Sequence, residues 1–319
     1  MTTNSCTRSS GGIWFVVFLV LVLASNTALA QSFEIGASLR YPAGDQDSPQ
    51  PTGLFVDNHT GDIYVADATT ARIAIYDAQR RFNFEFSTRE RVTNPQQVAV
   101  DAMGRIYVLG DTRQHVLSVF DYNGEFVRYL DLTVDGVRLE PDGLALDADD
   151  NLYVLTAEPA WTHVFSTAGE FIRSYRILQE LDQETQNTPM FGSVTVIGQE
   201  MIVPLPFIGQ VARVDLSGKL ICIFGIPGGG PTELSFPAAC AKTSNGEYAV
   251  LDKHRHLIQF IDVDGKYLRE VGCAGLAEGC FFHPTGLVTC ADGTLLVGQA
   301  YANRIQSVVF RSEAVASGS

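Results

Sequence analysis

Positive charge is scarce in this chain. Lysine and arginine together number 22 against 36 aspartates and glutamates, so the 319 residues carry a formal net charge of -14. A nucleic-acid binder neutralises phosphates with the opposite balance. The acidity therefore argues against a nucleic-acid partner and against adhesion to anionic lipid. Long apolar runs are also nearly missing. The one that stands out covers residues 13–24. No CxxC pair and no Cys/His spacing of a zinc site occurs. A helical period is missing as well, apart from residues 177–182, the only segment that could form a helix.

The first thirty residues contain a single charged side chain, Arg8, then the apolar run, then Ala28-Leu29-Ala30 before Gln31. That order is the layout of a secretory signal: charged start, short apolar stretch, small-residue cleavage site. The run is shorter than the roughly 20 residues of a spanning helix. An uncleaved anchor is the alternative. Cleavage after Ala30 would remove Arg8 and no acidic residue, moving the net charge of -14 down by one. The expectation is an exported protein, periplasmic or extracellular, with no stable membrane insertion after cleavage.

Cys6 would be lost with the signal. Cys222, Cys240, Cys273, Cys280 and Cys290 remain. An oxidising compartment permits disulfides, and the odd count leaves at least one thiol unpaired within a monomer. Cys273 and Cys280 lie close together in a glycine-rich loop and form the candidate pair. The alternative is that all five are small buried apolar residues.

A repeat is present. Pro51, Pro95, Pro141, Met190, Pro237 and Pro284 each open a block, with steps of 44, 46, 49, 47 and 47 residues. The clear blocks hold an alternating run, a turn, a second strand such as Ile63-Tyr64-Val65-Ala66-Asp67, and a third strand such as Arg72-Ile73-Ala74-Ile75-Tyr76. Turn pairs including Asn123-Gly124, Ser217-Gly218 and Asp264-Gly265 precede a fourth, outer strand. Short strands at even spacing signify radial β repetition. The fold class expected is all-β, a six-bladed propeller of four-stranded antiparallel blades. The fourth block is degenerate and lacks its proline. The sixth lacks a fourth strand, while residues 33–36 near the start have that pattern. The N-terminal strand is therefore expected to close the ring, which removes open edges. The organisation reads as signal 1–30, propeller 31–311 and polar tail 312–319.

These blocks resemble the NHL-repeat family, over essentially all of the chain after the signal. The family is named for an Asn-His-Leu run leading into the third strand. Arg255-His256-Leu257, Gln114-His115-Val116 and Ala302-Asn303-Arg304 stand at that place here, and the glycine-rich loops 225–237 and 272–284 are similar to the family's interblade loops. The resemblance implies protein-interaction modules, RNA binders, or enzymes such as peptide-amidating and streptogramin lyases. Fold does not choose among them.

In such a propeller the loops leading into strand one and the loops joining strands two and three share one face, here called the top face. It should gather Gln96, Asp142 and Thr285 from the first set. From the second it should gather Arg72, Arg113, His115, Trp161, Lys253, His254, Arg255, Tyr301 and Arg304. Such an aromatic and basic mixture suits recognition. Amidating-lyase relatives would place zinc-binding histidines near the strand-one openings, but Thr52, Gln96, Asp142 and Thr285 occupy those positions. His283 is the nearest imidazole, and Asp142 is the only carboxylate at a channel mouth. No metal site and no cofactor are expected. His115 and His256 share one repeat position, where a loop-ordering hydrogen bond within each blade is expected. His254 reads as exposed, His163 as a strand residue and Trp161 as a loop aromatic. The acidic run 147–151 reads as a turn rather than a calcium loop, since it lacks the glycine and distal glutamate of an EF-hand. Asn58-His59-Thr60 matches a glycosylation acceptor. The expected function is an exported, non-enzymatic binding scaffold that takes another protein or a small ligand at its top face. The alternative is a lyase or lactone hydrolase with divalent zinc or calcium at the central channel.

Overall fold

The structure is a computed structural model that describes residues 31–36, 38–40, 50–111, 117–157, 159–181, 190–302 and 304–312. Six four-stranded antiparallel sheets follow one another as blades. Blade one comprises Pro51–Val56, Ile63–Asp67, Arg72–Tyr76 and Phe82–Ser87. Strands one to three of blade five are Pro237–Lys242, Tyr248–Asp252 and Leu257–Ile261. Each second strand is nearly all buried, as in Ile63–Asp67 and Tyr248–Asp252. Both of its faces meet neighbouring blades, so it is apolar throughout rather than alternating. The buried apolar residues fall into six clusters, one in each wedge between adjacent blades. Among the described residues no helix is long and apolar enough to cross a membrane.

Carboxylates repeat for a backbone reason. Asp57, Asp101 and Asp147 end the first strands of blades one to three and accept backbone N–H groups of the turn that follows. Asp147 also takes the Asn151 side-chain amide and the Tyr153 hydroxyl. This is the turn-forming role read for run 147–151. At the ends of second strands, Asp67 and Asp252 tie two top-face loops together. The Asp252 carboxylate accepts from the N–H groups of Ser235, Phe236, His254 and Arg255.

The ring is closed by its N-terminus. Gln31–Ile35 pairs antiparallel with the third strand of blade six, Arg304–Ser312, and Leu39–Arg40 continues along the same strand. That third strand includes Ser312, one residue into the stretch expected to be tail. Phe33 sits 5.6 Å from Phe260 and 5.1 Å from Phe310, with the Arg269 guanidinium 5.4 Å from its ring. On the lower face, Arg80 of blade one pairs with Asp292 of blade six across the same seam.

Three local readings need correction. Residues 177–181 form a turn, not a helix, because Ile177 and Leu178 are buried in the wedge between blades three and four; residue 182 lies outside the described residues. The helix among the described residues is a 3-10 turn at Pro206–Ile208, between strands two and three of blade four. The first strand of blade four begins at Thr195 rather than near Met190. Gly192 passes so close to Ala238 of blade five that a Cβ would lie 2.5 Å from its carbonyl oxygen. A short hairpin, Thr133–Val134 with Val137–Arg138, precedes blade three.

Candidate functional site

The innermost strands enclose a cavity of about 460 Å³. Its wall runs from Gly53, Gln97 and Ser193 down to Asn58, His59, Ala148, Gly198 and Ala291, which belong to the turns between strands one and two. The channel is therefore lined toward the lower face, away from the loops where a site was expected. Thr52 and Thr285, at the upper end, latch blades together. The Thr52 hydroxyl donates to the Pro95 carbonyl at 2.7 Å, and the Thr285 hydroxyl to the Pro51 carbonyl at 2.5 Å. Gln97 does the same between blades two and three: its amide donates to the Asp142 carbonyl and its oxygen accepts from Leu144 N–H. Gln96 beside it is exposed. The Asp142 carboxylate accepts from Ala157 N–H at 2.7 Å, within its own blade.

The top-face basic residues are largely engaged inside the fold. Arg72 pairs with Glu85 on the outer strand of blade one. Arg255 donates to the Glu233 carbonyl at 2.8 Å and to the Glu270 carboxylate at 2.9 Å. Arg304 donates to the carbonyls of Leu276, Ala277 and Cys280, and so holds the loop closed by the Cys273–Cys280 disulfide. Lys253 places its Nζ 5.9 Å from the centroid of Phe236. Trp161 is not a loop residue: it opens the third strand of blade three, is half-buried and stacks on His163 at 6.1 Å. Arg113 and His115 lie outside the described residues.

An aromatic and imidazole cluster does form, between blades five and six. His283 lies 5.7 Å from His256, 5.6 Å from Tyr301 and 4.6 Å from Phe282, centroid to centroid. Tyr301 is 60 % exposed. The His256 Nδ1 atom is buried and has no hydrogen-bond partner. The loop-ordering hydrogen bond expected of this ring is not made at that atom. Burial, with His283 nearby as a second cause, holds the His256 pKa below the ordinary imidazole value. His254 is exposed and packs on Phe236 at 4.6 Å. Among the described residues no group of three or more His, Cys, Asp or Glu side chains is arranged to hold a metal ion.

The top face also carries large apolar side chains that the repeat pattern did not single out. Val137, Met190, Phe207, Ile226 and Leu276 are exposed on the connections of that face, alongside Tyr301, which the sequence did place there; Met103, Tyr122 and Val263 are exposed in the same way on lower-face turns. Their signal in the sequence is an apolar residue inside a loop, outside any alternating run.

No family model matches the chain. A curated relative, the protein brain tumor of Drosophila melanogaster, is 27% identical over 138 residues, which is 42% of this chain. The chain spans only 13% of that protein's length. Virginiamycin B lyase from Staphylococcus aureus is similar in structure, with a TM-score of 0.57 at 11% identity over 87% of this chain and 99% of the lyase. An auxiliary nutrient binding protein from Bacteroides thetaiotaomicron has a TM-score of 0.61 at 11% identity, covering 82% of this chain and 69% of that one. At these identities the structural likeness speaks for the propeller fold alone.

Proposed function

We propose that this is an exported NHL-type propeller that docks a protein partner on its top face and performs no catalysis there. The observation that carries this reading is the set of exposed apolar side chains on the loops of that face, with Val137 at 65 %, Phe207 at 66 % and Tyr301 at 60 % exposure. Exposed large apolar and aromatic groups suit association with another protein; six lie on this face, against Met103, Tyr122 and Val263 on lower-face turns. Engaged arginines stiffen those loops, so the docking surface is formed in advance of binding. NHL membership is supported by the six evenly spaced blocks and by the match to brain tumor. Export is supported by the layout of residues 1–30 and by a disulfide, which persists in oxidising compartments.

Affinity capture from the host's envelope or medium tests the reading. One specific partner should be recovered with the wild type and lost with Phe207→Asp, while Met103→Asp on the lower face leaves capture intact. Equal capture by both variants would overturn it. The second reading is a divalent-metal lyase or lactone hydrolase with its site at the central channel, whose cavity of about 460 Å³ could admit a small substrate. Elemental analysis separates the two: stoichiometric zinc or calcium surviving exhaustive dialysis would support the enzyme.

A further inference from the structure

We infer that the cavity at the seam of the ring, between the closing strand and the Gln79–Arg80 turn of blade one, binds a small oxyanion of the carboxylate or phosphate class. One residue there breaks the repeat. In blades two to five the turn between strands three and four puts a glycine at its left-handed position: Gly124, Gly169, Gly218 and Gly265, with φ between 81° and 94°. Arg80 holds that position in blade one, with φ 66° and the same turn hydrogen bond, its N–H donating to the Asp77 carbonyl at 2.8 Å. A residue with a Cβ is strained in this region. The Arg80–Asp292 pair across the seam does not explain the strain, because its side chains are 25 % and 55 % exposed and such pairs contribute little.

Space opens at the same place. The four glycines leave no room for a side chain: a Cβ would lie 2.2–3.0 Å from Phe86, Leu130, Tyr175 or Phe224 on the outer strand of the preceding blade. At the seam that outer strand is the N-terminal one, and its pairing is interrupted between Ile35 and Leu39. Gly36, Ser38, Leu39 and Ser307 wall, together with Gln79 and Arg80, a cavity of about 190 Å³. That is less than half the central channel, a size for an inorganic anion or a small acid.

The lining suits negative charge. Among the described residues no aspartate or glutamate lines this cavity, although acidic residues outnumber basic ones 36 to 22 in the chain. Arg80 donates through NH2 to Asp292 at 2.5 Å, the Cys290 thiol lies beside the same guanidinium, and Nε is buried without a hydrogen-bond partner. A guanidinium carries five N–H donors in a planar fork that matches an oxyanion, and one carboxylate does not use them all. The Gln79 side-chain oxygen accepts from Arg81 at 3.3 Å, which leaves its amide nitrogen as a further donor, and the exposed Ser38 adds a hydroxyl. An anion seated here bridges blade one and the closing strand, so its binding stabilises the closed ring by linkage. The site is on the lower side of the ring and is independent of docking on the top face.

The test is an NMR titration of the ¹⁵N-labelled protein with sodium phosphate and, separately, sodium acetate, each against sodium chloride at equal ionic strength. The amide resonances of Gly36, Gln79 and Arg80 should move saturably with phosphate or acetate, in the millimolar range, and not with chloride. The tighter of the two names the ligand class. Arg80→Gly, which restores the residue of the other four blades, should weaken binding at least about tenfold. Asp292→Asn removes the competing carboxylate and should tighten it about two- to fivefold. No saturable change at the seam with either anion, or an unchanged titration in Arg80→Gly, would overturn the site. If Arg80→Gly does not fold, Asp292→Asn decides: binding no tighter than wild type overturns it.

Discussion

Replacing Phe33 with alanine removes the aromatic ring that holds the N-terminal strand in place. The ring is half-buried between Phe260 and Phe310, with Arg269 over its face. Half of a full aromatic burial is worth roughly 1 kcal/mol, and each of the two aromatic pairs adds about 0.5–1.5 kcal/mol. The loss is therefore about 2–4 kcal/mol. For a domain of this size that lowers Tm by roughly 3–7 °C. Deleting residues 31–40 should cost more, because it also removes Ile35, the buried Leu39 and the pairing to Arg304–Ser312. Thermal unfolding followed by circular dichroism measures both changes. Leu268→Ala, on the exposed outer strand of blade five, is the control and should shift Tm by less than about 2 °C. If Phe33→Ala melts with the control, the strand does not close the ring energetically and the reasoning fails.

Other outcomes follow from single contacts. Asp252→Ala removes the acceptor of four backbone N–H groups; stability in urea should fall by about 2–4 kcal/mol, with faster proteolysis of the loops around residues 233–237 and 253–256. Reducing Cys273–Cys280, or replacing both with serine, should cost about 2–3 kcal/mol for so short a loop, measurable as a difference in urea midpoint. The hydrogen bond from Arg213 holds Glu200 below its ordinary value of 4.5. A lowered carboxylate pKa stabilises the fold above the unfolded value, and that contribution disappears as pH falls through the folded one. Acid titration should therefore show a loss of stability below about pH 4.5 that is smaller in Glu200→Gln; identical acid limbs would remove this pair from the account.

Much of the architecture is legible in the sequence because each repeated residue answers a backbone demand. Asp57, Asp101 and Asp147 recur since a first-strand turn leaves N–H groups to satisfy, and the buried second strands are apolar on both faces. The closing strand is legible because blade six lacks a fourth strand that residues 33–36 can supply. The top face is legible only as a location. Arg255 and Arg304 look free in the sequence, yet the carbonyls they bind belong to loops whose course no period-two pattern encodes. Ile177, Leu178 and Leu181 have helix-like spacing, but a turn buries the first two equally well. His256 and His283 are remote in sequence and meet only because blades five and six stand side by side.

The central claim is that the top face is the working surface. A photoreactive benzoyl-phenylalanine placed at Phe207 or Tyr301, and separately at Met103 or Tyr122 on the lower face, tests it in the native compartment. The account predicts one discrete cross-linked partner from Phe207 and Tyr301 and none from the lower-face positions. Cross-links confined to Met103 and Tyr122, or absent from all four, would contradict it.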